Sequence, residues 1–334
     1  MNMKALKSVL IDVPVLFIIF ARPEQTAQVF EQIKIARPSK LYLYQDGPRL
    51  NRLDDIKNIS ICRKIVEDID WECKVNKFYQ DENVGCDPSE FISQKWMFSQ
   101  EEYGIVLEDD DVPSQSFFVF CKELLVKYKD DERINIICGM NHLGVSKDTP
   151  YSYLFTTSGS IWGWASWKRV IDNWDEHYSF LNNKYELQLM KRKLGTTKFK
   201  SFLNLVVNHK RTKKAHYESI LGSNAILNSG LNIVPAKNLI SNIGIASEST
   251  HSVSSIEKLP KGIRRVFNME THEINYPIKH PKYVIEDIAY KQKIDRILGR
   301  SFFVSMYRRI ETIIYRTVYG DFKSIRDSFN RRRK

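Results

Sequence analysis

The sequence contains no hydrophobic run long enough to cross a membrane. No stretch reaches the roughly 18 consecutive apolar residues that a membrane-spanning helix requires. The apolar run at residues 13–21 is interrupted by Pro14, and Arg22 and Pro23 follow it where a signal peptide would have a small-residue cleavage site. We therefore interpret this run as a buried first strand and expect neither a membrane span nor a cleaved leader.

Cysteine is scarce and irregularly spaced. The 334 residues include 5 cysteines, an odd number without the close spacing of a metal site, at Cys62, Cys73, Cys86, Cys121 and Cys138. This usage is typical of a reduced compartment, and a chain of this length can build its core without disulfides or a structural metal. We therefore expect a cytoplasmic location.

The first 290 residues carry almost no net charge. The formal net charge is +11, but residues 291–334 carry 13 Lys and Arg against 4 Asp and Glu, a balance of +9 that leaves only +2 for the rest of the chain. Proteins that read nucleic acid carry basic clusters on their folded recognition elements. We therefore exclude nucleic acid as a partner.

The basic tail has the pattern of an amphipathic helix. Its apolar residues recur at helical spacing with arginines between them, at Phe303, Met306, Tyr307, Ile310, Ile313, Ile314 and Val318. Such a helix can attach a protein to the anionic inner face of a membrane, where a lipid-linked acceptor would lie. The alternative is a helix docked on the body of the protein with a solvated end. We place the boundary of this C-terminal extension at residue 261, after a catalytic domain of residues 1–260.

Short apolar runs alternate with amphipathic stretches through the first third of the chain. The pattern predicts strands at residues 15–20, 41–44, 74–79 and 104–107, and helices at residues 24–36, 63–69 and 89–99. This order predicts an α/β protein with a Rossmann-like, mostly parallel, doubly wound sheet. Further along, we predict helices at 116–129, 182–214 and 217–228, strands at 134–138 and 231–235, a turn entering a helix at 161–167 and a loop at 239–251.

Four consecutive acidic residues, Glu108 to Asp111, follow the strand at 104–107 directly. Ligands of doubly wound sheets collect at the carboxyl ends of the strands, which places this run on one rim with Arg22 and Asp46. Adjacent carboxylates repel each other unless a cation lies between them, and Mg²⁺ or Mn²⁺ needs only one or two carboxylates besides phosphate oxygens and water. The acidic run therefore indicates a metal–diphosphate site, with solvated loop acids as the alternative.

The start of the chain also resembles a known family of enzymes. Residues 14–23 (PVLFIIFARP), 36–40 (ARPSK) and 45–47 (QDG), together with the acidic run, are similar to the N-terminal half of the Golgi α-mannoside β-N-acetylglucosaminyltransferases that act on N-glycans. That resemblance points to sugar transfer from a nucleotide-sugar.

A second resemblance extends over residues 13–255. Residues 83–86 (NVGC), 104–113 (GIVLEDDDVP), 162–167 (WGWASW) and 238–244 (NLISNIG) look like the motifs of a family of bacterial nucleotide-diphospho-sugar transferases, in the family's order. It implies the GT-A glycosyltransferase fold and a function in surface polysaccharide or glycan biosynthesis.

The resemblance also implies roles for individual residues. Asp110 is implied as the ligand of Mn²⁺ or Mg²⁺, and Asp109 as a contact of the ribose or the donor sugar. Arg22 and Asp46 are implied to hold a uridine-type nucleotide; the alternatives are a surface cap for Arg22 and a turn former for Asp46.

Four more residues are expected to contact the nucleotide, the sugar or the metal. Asn83 is expected to line the nucleotide pocket, and Trp162 and Gly163 to lie nearest the donor sugar, while the other tryptophans of this segment fill the core. His251 matches the family's late histidine, which is implied to join the metal shell or contact the diphosphate. A lone histidine that only makes hydrogen bonds is the alternative.

Glu218 is the candidate catalytic base. It lies near the start of the helix predicted at 217–228, where the resemblance implies an acidic residue, although His216 and Tyr217 depart from the expected aromatic pattern. An inverting transfer needs a carboxylate that takes the proton of the acceptor hydroxyl. The alternative is an ordinary surface glutamate.

Together these residues predict an inverting transfer from a nucleotide-sugar to a hydroxyl of a glycan or a lipid-linked glycan. A UDP-sugar is the donor that we expect. A sugar nucleotidyltransferase would use the same sheet and metal, but it should carry a glycine-rich, basic loop after the first strand, which this sequence lacks. A glycan-binding module without turnover is the non-enzymatic alternative.

Overall fold

The first apolar run forms the centre of the sheet. The computed structural model describes residues 6–245 and 261–298, with residues 311, 312 and 317. Strand β1 (Ile11–Ile19) is buried at every position but one. Its almost continuously apolar sequence is that expected of a strand covered on both faces. Helix α1 (Pro23–Ala36) follows, and its Phe30 ring stacks on the Phe17 ring of β1 with 6.3 Å between the ring centroids.

The other elements follow in chain order. The strands are β2 (Pro38–Gln45), β3 (Lys74–Tyr79), β4 (Tyr103–Glu108), β5 (Asp111–Pro113), β6 (Ile134–Cys138), β7 (Tyr153–Thr156), β8 (Trp164–Trp167), β9 (Leu231–Pro235) and β10 (Ile240–Asn242). The helices are α2 (Leu53–Val66), α3 (Cys86–Phe98), α4 (Gln115–Lys127), α5 (Lys168–Asp172), α6 (Lys184–Leu194), α7 (Thr196–Thr212), α8 (Tyr217–Leu227), α9 (Lys261–Arg264) and α10 (Ile288–Ile297). In the ranges that the structure describes, none of the helices is both long and apolar enough to span a membrane.

Eight strands form one sheet in the order β3-β2-β1-β4-β8-β6-β9-β7. The neighbours from β3 to β4 are parallel, as are β6 and β9, whereas β8 runs antiparallel to both β4 and β6, and β7 runs antiparallel to β9. Helix α1 packs against α2 and α4, and α3 packs against α5 and α8. The predicted Rossmann-like, mostly parallel α/β sheet is confirmed.

The strand order reverses between β1 and β4. From β1 the chain proceeds outward to β2 and β3 and then returns past β1 to β4, which leaves the carboxyl ends of β1 and β4 side by side. In open α/β sheets this reversal creates the crevice in which ligands bind. The topology alone therefore points to the residues that follow Ile19 and Glu108.

Two predicted elements are wrong in type. Only the first part of the tryptophan segment is a turn, because Trp164 to Trp167 form β8, a four-residue strand buried at each position. A strand with both faces covered shows no alternation of polar and apolar residues. The prediction of a packed turn instead followed from the bulky residues beside Gly163. The loop predicted at 239–251 contains β10, which pairs antiparallel with β5.

Helix α2 begins ten residues before the predicted start. Its first turns expose Leu53 and Ile56, whereas they bury Asp55. Arg49 holds that carboxylate with side-chain bonds of 2.6 and 2.7 Å and a backbone bond of 3.0 Å. Because the buried position in this turn is a charged residue, the sequence of the first turns of α2 does not show an amphipathic pattern.

Residues 261–298 pack onto the same core as the rest of the described chain. The Tyr290 hydroxyl donates to Asn141 Oδ1 at 3.1 Å, Tyr290 and Ile294 are buried, and Glu286 forms a parallel bridge with Phe155. The division at residue 260 stays a prediction. The apolar stripe at 303–318 falls outside the described residues, apart from the three polar positions 311, 312 and 317 inside it.

Candidate active site

Arg22 and the acidic run meet at the crevice between β1 and β4. Ile18 of β1 lies beside Glu108 of β4 in the parallel register, so the chains that follow them leave the sheet together. The Arg22 guanidinium donates from Nη1 to Asp110 Oδ2 at 2.8 Å and from Nη2 to Asp109 Oδ1. The backbone N–H of Phe20 donates to Asp109 Oδ2 at 3.2 Å. The structure thus brings three predicted site residues into direct contact.

Burial and charge act against each other in this group. Burial alone would lower the pKa of Arg22, but the charges of Asp109 and Asp110 outweigh it and raise that pKa, so Arg22 remains a cation. Burial also raises the pKa of Asp110; Asp109 acts in the same direction, whereas Arg22 and a hydrogen bond from Asn242 oppose it. Arg22 is therefore the group that most opposes the effect of burial on the pKa of Asp110.

Asn242 and the backbone of neighbouring loops position the acidic run. Asn242 Nδ2 donates to Asp110 Oδ1 and to Asp111 Oδ1, each at 3.1 Å, and the N–H of Gly163 donates to Asp111 Oδ2 at 2.8 Å. A Cβ atom at Gly244 would lie 2.2 Å from Asp110 Oδ2, so the backbone there fits closely around this carboxylate. Asn242 was not predicted as a site residue, although it lies inside the motif NLISNIG.

Asp46 ties two loops together. Its Oδ1 accepts from the N–H groups of Gly47 and Val84 at 2.9 Å, and its Oδ2 accepts from Gly85 N at 3.0 Å and from Asn83 Nδ2 at 2.8 Å. Burial raises the pKa of Asp46, although these N–H groups act in the opposite direction. The two predicted site residues Asp46 and Asn83 are therefore in contact. Asp46 also has a structural role, because it joins two loops and does more than form a turn.

Gly163 and Trp162 form the turn before β8. Gly163 has φ of +61°, and a Cβ atom there would lie 2.5 Å from Ile240 Cδ1, so both the conformation and the space require glycine. The half-buried Trp162 ring packs on Phe267, with centroids 5.0 Å apart. Trp164 and Trp167 are buried in the core.

Two glutamates extend the acidic surface. Glu90 of α3 is buried and accepts from Gln94 Nε2 at 3.1 Å, and burial, with Asp111 next in effect, raises its pKa well above the ordinary value. Burial, with Glu90 next, raises the pKa of Glu108 in the same way. Glu90 was not predicted as a site residue. The available signal was its position one and two helical turns from Gln94 and Met97, on the buried side of α3.

Glu218 lies in the first turn of α8 and is exposed. Its neighbour Tyr217 is buried, and burial followed by the charges of Glu90 and Glu108 raises the pKa of that phenol. The acidic region thus extends towards the start of α8, where Glu218 lies. His216, which precedes Tyr217, contacts Asp87 Oδ2 through Nδ1 at 3.1 Å. His251 lies outside the described residues.

A divalent cation fits the donor chemistry of this site. In the parts of the chain that the structure describes, no three His, Cys, Asp or Glu side chains converge in the way a protein-only metal cage requires. Mg²⁺ and Mn²⁺ do not need such a cage, because hard cations bind through one or two carboxylates and complete their shell with phosphate oxygens and water. Asp110, at the switch point and next to Asp109, is suited to that arrangement.

Comparisons with known proteins leave the family undetermined. No protein-family model and no curated protein sequence matches the chain. Among solved structures, UDP-glucose pyrophosphorylase in complex with UDP-glucose overlaps with a TM-score of 0.33 at 9% identity, covering 69% of this chain and 92% of that one. The apo form overlaps with a TM-score of 0.35 at 10% identity, covering 70% and 93%. At these TM-scores the overlap carries no weight for the activity, which has to be argued from the site.

Proposed function

We propose that this chain is a metal-dependent glycosyltransferase that moves a sugar, with inversion, from a UDP-sugar to a carbohydrate hydroxyl. The observation that supports this most is the buried acidic run at the topological switch point, where Arg22 contacts both Asp109 and Asp110. A region that gathers carboxylates at the ligand-binding end of a parallel sheet suits a cation and a diphosphate.

Each residue has a part in this proposal. Asp110 would hold Mn²⁺ or Mg²⁺, and Asp109 would contact the ribose or the sugar. The loops joined by Asp46 and Asn83 would form the nucleotide pocket. Trp162, with the backbone of Gly163, would lie beside the donor sugar, and His251 would complement the metal shell.

Proton transfer falls to Glu218 in this mechanism. Glu218 is exposed in the first turn of α8, where an acceptor from solvent can reach it. It would accept the proton of the acceptor hydroxyl as that oxygen attacks the anomeric carbon from the face opposite the diphosphate. When bound, a divalent cation would neutralise the negative charge that develops on the leaving diphosphate.

A nucleotidyltransferase would need donors for a triphosphate in the loop after β1. That loop, from Phe20 to Arg22, contains no glycine and a single basic residue. The two activities also differ in their products. A transferase releases UDP, whereas a nucleotidyltransferase forms UTP from the UDP-sugar and pyrophosphate, so chromatography of the nucleotides after incubation with and without pyrophosphate separates them.

Donor binding tests the proposal directly. A panel of UDP-sugars is titrated calorimetrically with and without Mn²⁺ against the wild type, Asp110→Asn and Asp68→Asn. Asp68 makes the same charge change on the surface, where it pairs only with Lys34 among the contacts described. We expect Asp110→Asn to lose Mn²⁺-dependent binding while it stays folded and Asp68→Asn to bind normally. Equal Mn²⁺-dependent binding by all three proteins would exclude Asp110 as the metal ligand.

A further inference from the structure

Arg22 occupies the carboxylate oxygen that a divalent cation would need. Its Nη1 lies 2.8 Å from Asp110 Oδ2, and its other terminal nitrogen contacts Asp109, so one guanidinium bridges the two carboxylates. The Asp110 side chain is only 12% exposed, and that of Arg22 is 20% exposed. Water therefore screens this ion pair poorly, and charge-assisted hydrogen bonds of this kind are about twice as strong as neutral ones.

The surroundings of Asp110 leave few other approaches. Oδ1 accepts from Asn242, and the Gly244 backbone lies so close to Oδ2 that a Cβ atom would come within 2.2 Å of that oxygen. A Mg²⁺ or Mn²⁺ ion about 2 Å from Oδ2 would lie beside the guanidinium, with two positive groups in a poorly hydrated region. The arginine and the metal ion therefore compete for Asp110.

We infer that Arg22 serves as the internal counter-ion of the site and makes tight binding of a divalent cation conditional on a diphosphate ligand. The inference rests on the proposed function, since it assumes that Asp110 binds the metal. A diphosphate offers the guanidinium a bidentate partner of the geometry that arginine prefers, and it offers the metal additional oxygen ligands. When the diphosphate takes Arg22, the carboxylates of Asp109 and Asp110 become free for the cation.

This exchange has a measurable consequence. The apparent affinity of a ligand is its intrinsic affinity multiplied by the fraction of protein that is competent to bind it. Because Arg22 occupies Asp110 in most molecules, removal of Arg22 should raise the fraction that can bind the cation. We expect Arg22→Gln to bind Mn²⁺ alone about ten- to a hundredfold more tightly than the wild type, given that a hydrogen bond to a charged group contributes roughly a factor of ten to a hundred. The gain in Mn²⁺ affinity that UDP produces should shrink in the same variant.

The experiment is a binding cycle with Mn²⁺ alone, UDP alone and both together. Free Mn²⁺ is measured by electron paramagnetic resonance for the wild type, Arg22→Gln, Arg22→Lys and Arg133→Gln. Arg133 donates two hydrogen bonds to the carboxylate of Asp131 just before β6 begins, at the end of the strand away from the acidic run. Its substitution controls for the loss of a positive charge. Arg22→Lys keeps the charge but cannot bridge both carboxylates, and we expect its Mn²⁺ affinity to lie between those of the wild type and Arg22→Gln.

A thermal readout accompanies the binding data. Without metal, Arg22→Gln should unfold at a lower temperature than the wild type, because Asp109 and Asp110 then repel each other, and Mn²⁺ alone should raise its melting temperature by more than that of the wild type. If the wild type binds Mn²⁺ with UDP but neither Arg22 variant binds Mn²⁺ alone more tightly, the competition is disproved and the proposed function stands. If no protein binds Mn²⁺ under any condition, both are wrong.

Discussion

Gly244→Ala tests the geometry of the acidic run with a single methyl group. The added Cβ would lie 2.2 Å from Asp110 Oδ2, 3.0 Å from its Cγ and 3.1 Å from Asn242 Oδ1. The first of these distances is roughly 1 Å short of ordinary van der Waals contact, so the carboxylate has to move. Overpacking of this kind costs about 1–3 kcal/mol in the free energy of unfolding.

The larger effect should be on ligand binding. A misplacement of about 1 Å near reacting groups can lower a rate by a factor of about a hundred, and a cation that depends on Asp110 is comparably sensitive. We expect Mn²⁺-dependent affinity for the donor to fall at least about tenfold, measured calorimetrically, while urea unfolding of Gly244→Ala stays cooperative.

Gly222→Ala is the matched control for this prediction. A Cβ atom at Gly222 would meet nothing within 4 Å, and the residue lies inside α8, so alanine there should stabilise the fold by about 0.5–1 kcal/mol without changing donor binding. Unchanged donor binding in Gly244→Ala would show that the carboxylate at 110 does not hold the cation, whatever the stability of the variant.

Two further predictions concern charge and proton transfer. Glu90→Gln should flatten the pH dependence of unfolding: burial raises the pKa of Glu90 in the folded state, so the native state binds more protons, and the stability of the wild type without metal should fall as the pH rises above the pKa of an unfolded glutamate. Denaturant titrations from acidic to neutral pH measure this, and an unchanged slope in the variant would contradict the assignment. Glu218→Gln should lower turnover by about two to four orders of magnitude with donor affinity little changed, and normal turnover would place the base elsewhere.

Much of the fold could be predicted because the first half of the chain obeys simple periodicity. Strands β1 to β4 alternate with helices α1 to α3, and a strand followed by a helix and another strand forms a parallel, right-handed unit. The antiparallel insertion of β8 could not be predicted, since its pairing with both β4 and β6 depends on contacts between distant parts of the chain. A four-residue strand buried on both faces has no pattern of its own.

The site residues that directly follow strands could be predicted, whereas those on other elements could not. Arg22 and the acidic run follow β1 and β4, and the topology brings the ends of these strands together. Asn242 and Glu90 reach the same region from β10 and from the side of α3. Their contributions depend on tertiary contacts. Helical spacing can place Glu90 on the buried side of α3, but it does not show that this side faces the acidic run.

The energetics of the acidic region argue for a ligand rather than for a structural role. Glu90, Asp110 and Asp111 are buried, and burial raises the pKa of each, so their charged forms oppose folding. Apolar residues of similar volume would stabilise the same position without this cost. Arg22 compensates Asp109 and Asp110 directly, but Glu90 is described with only a side-chain amide as its partner. A cation that bound there would stabilise the folded state, so we expect the free energy of unfolding to rise with the concentration of Mn²⁺ and a diphosphate together.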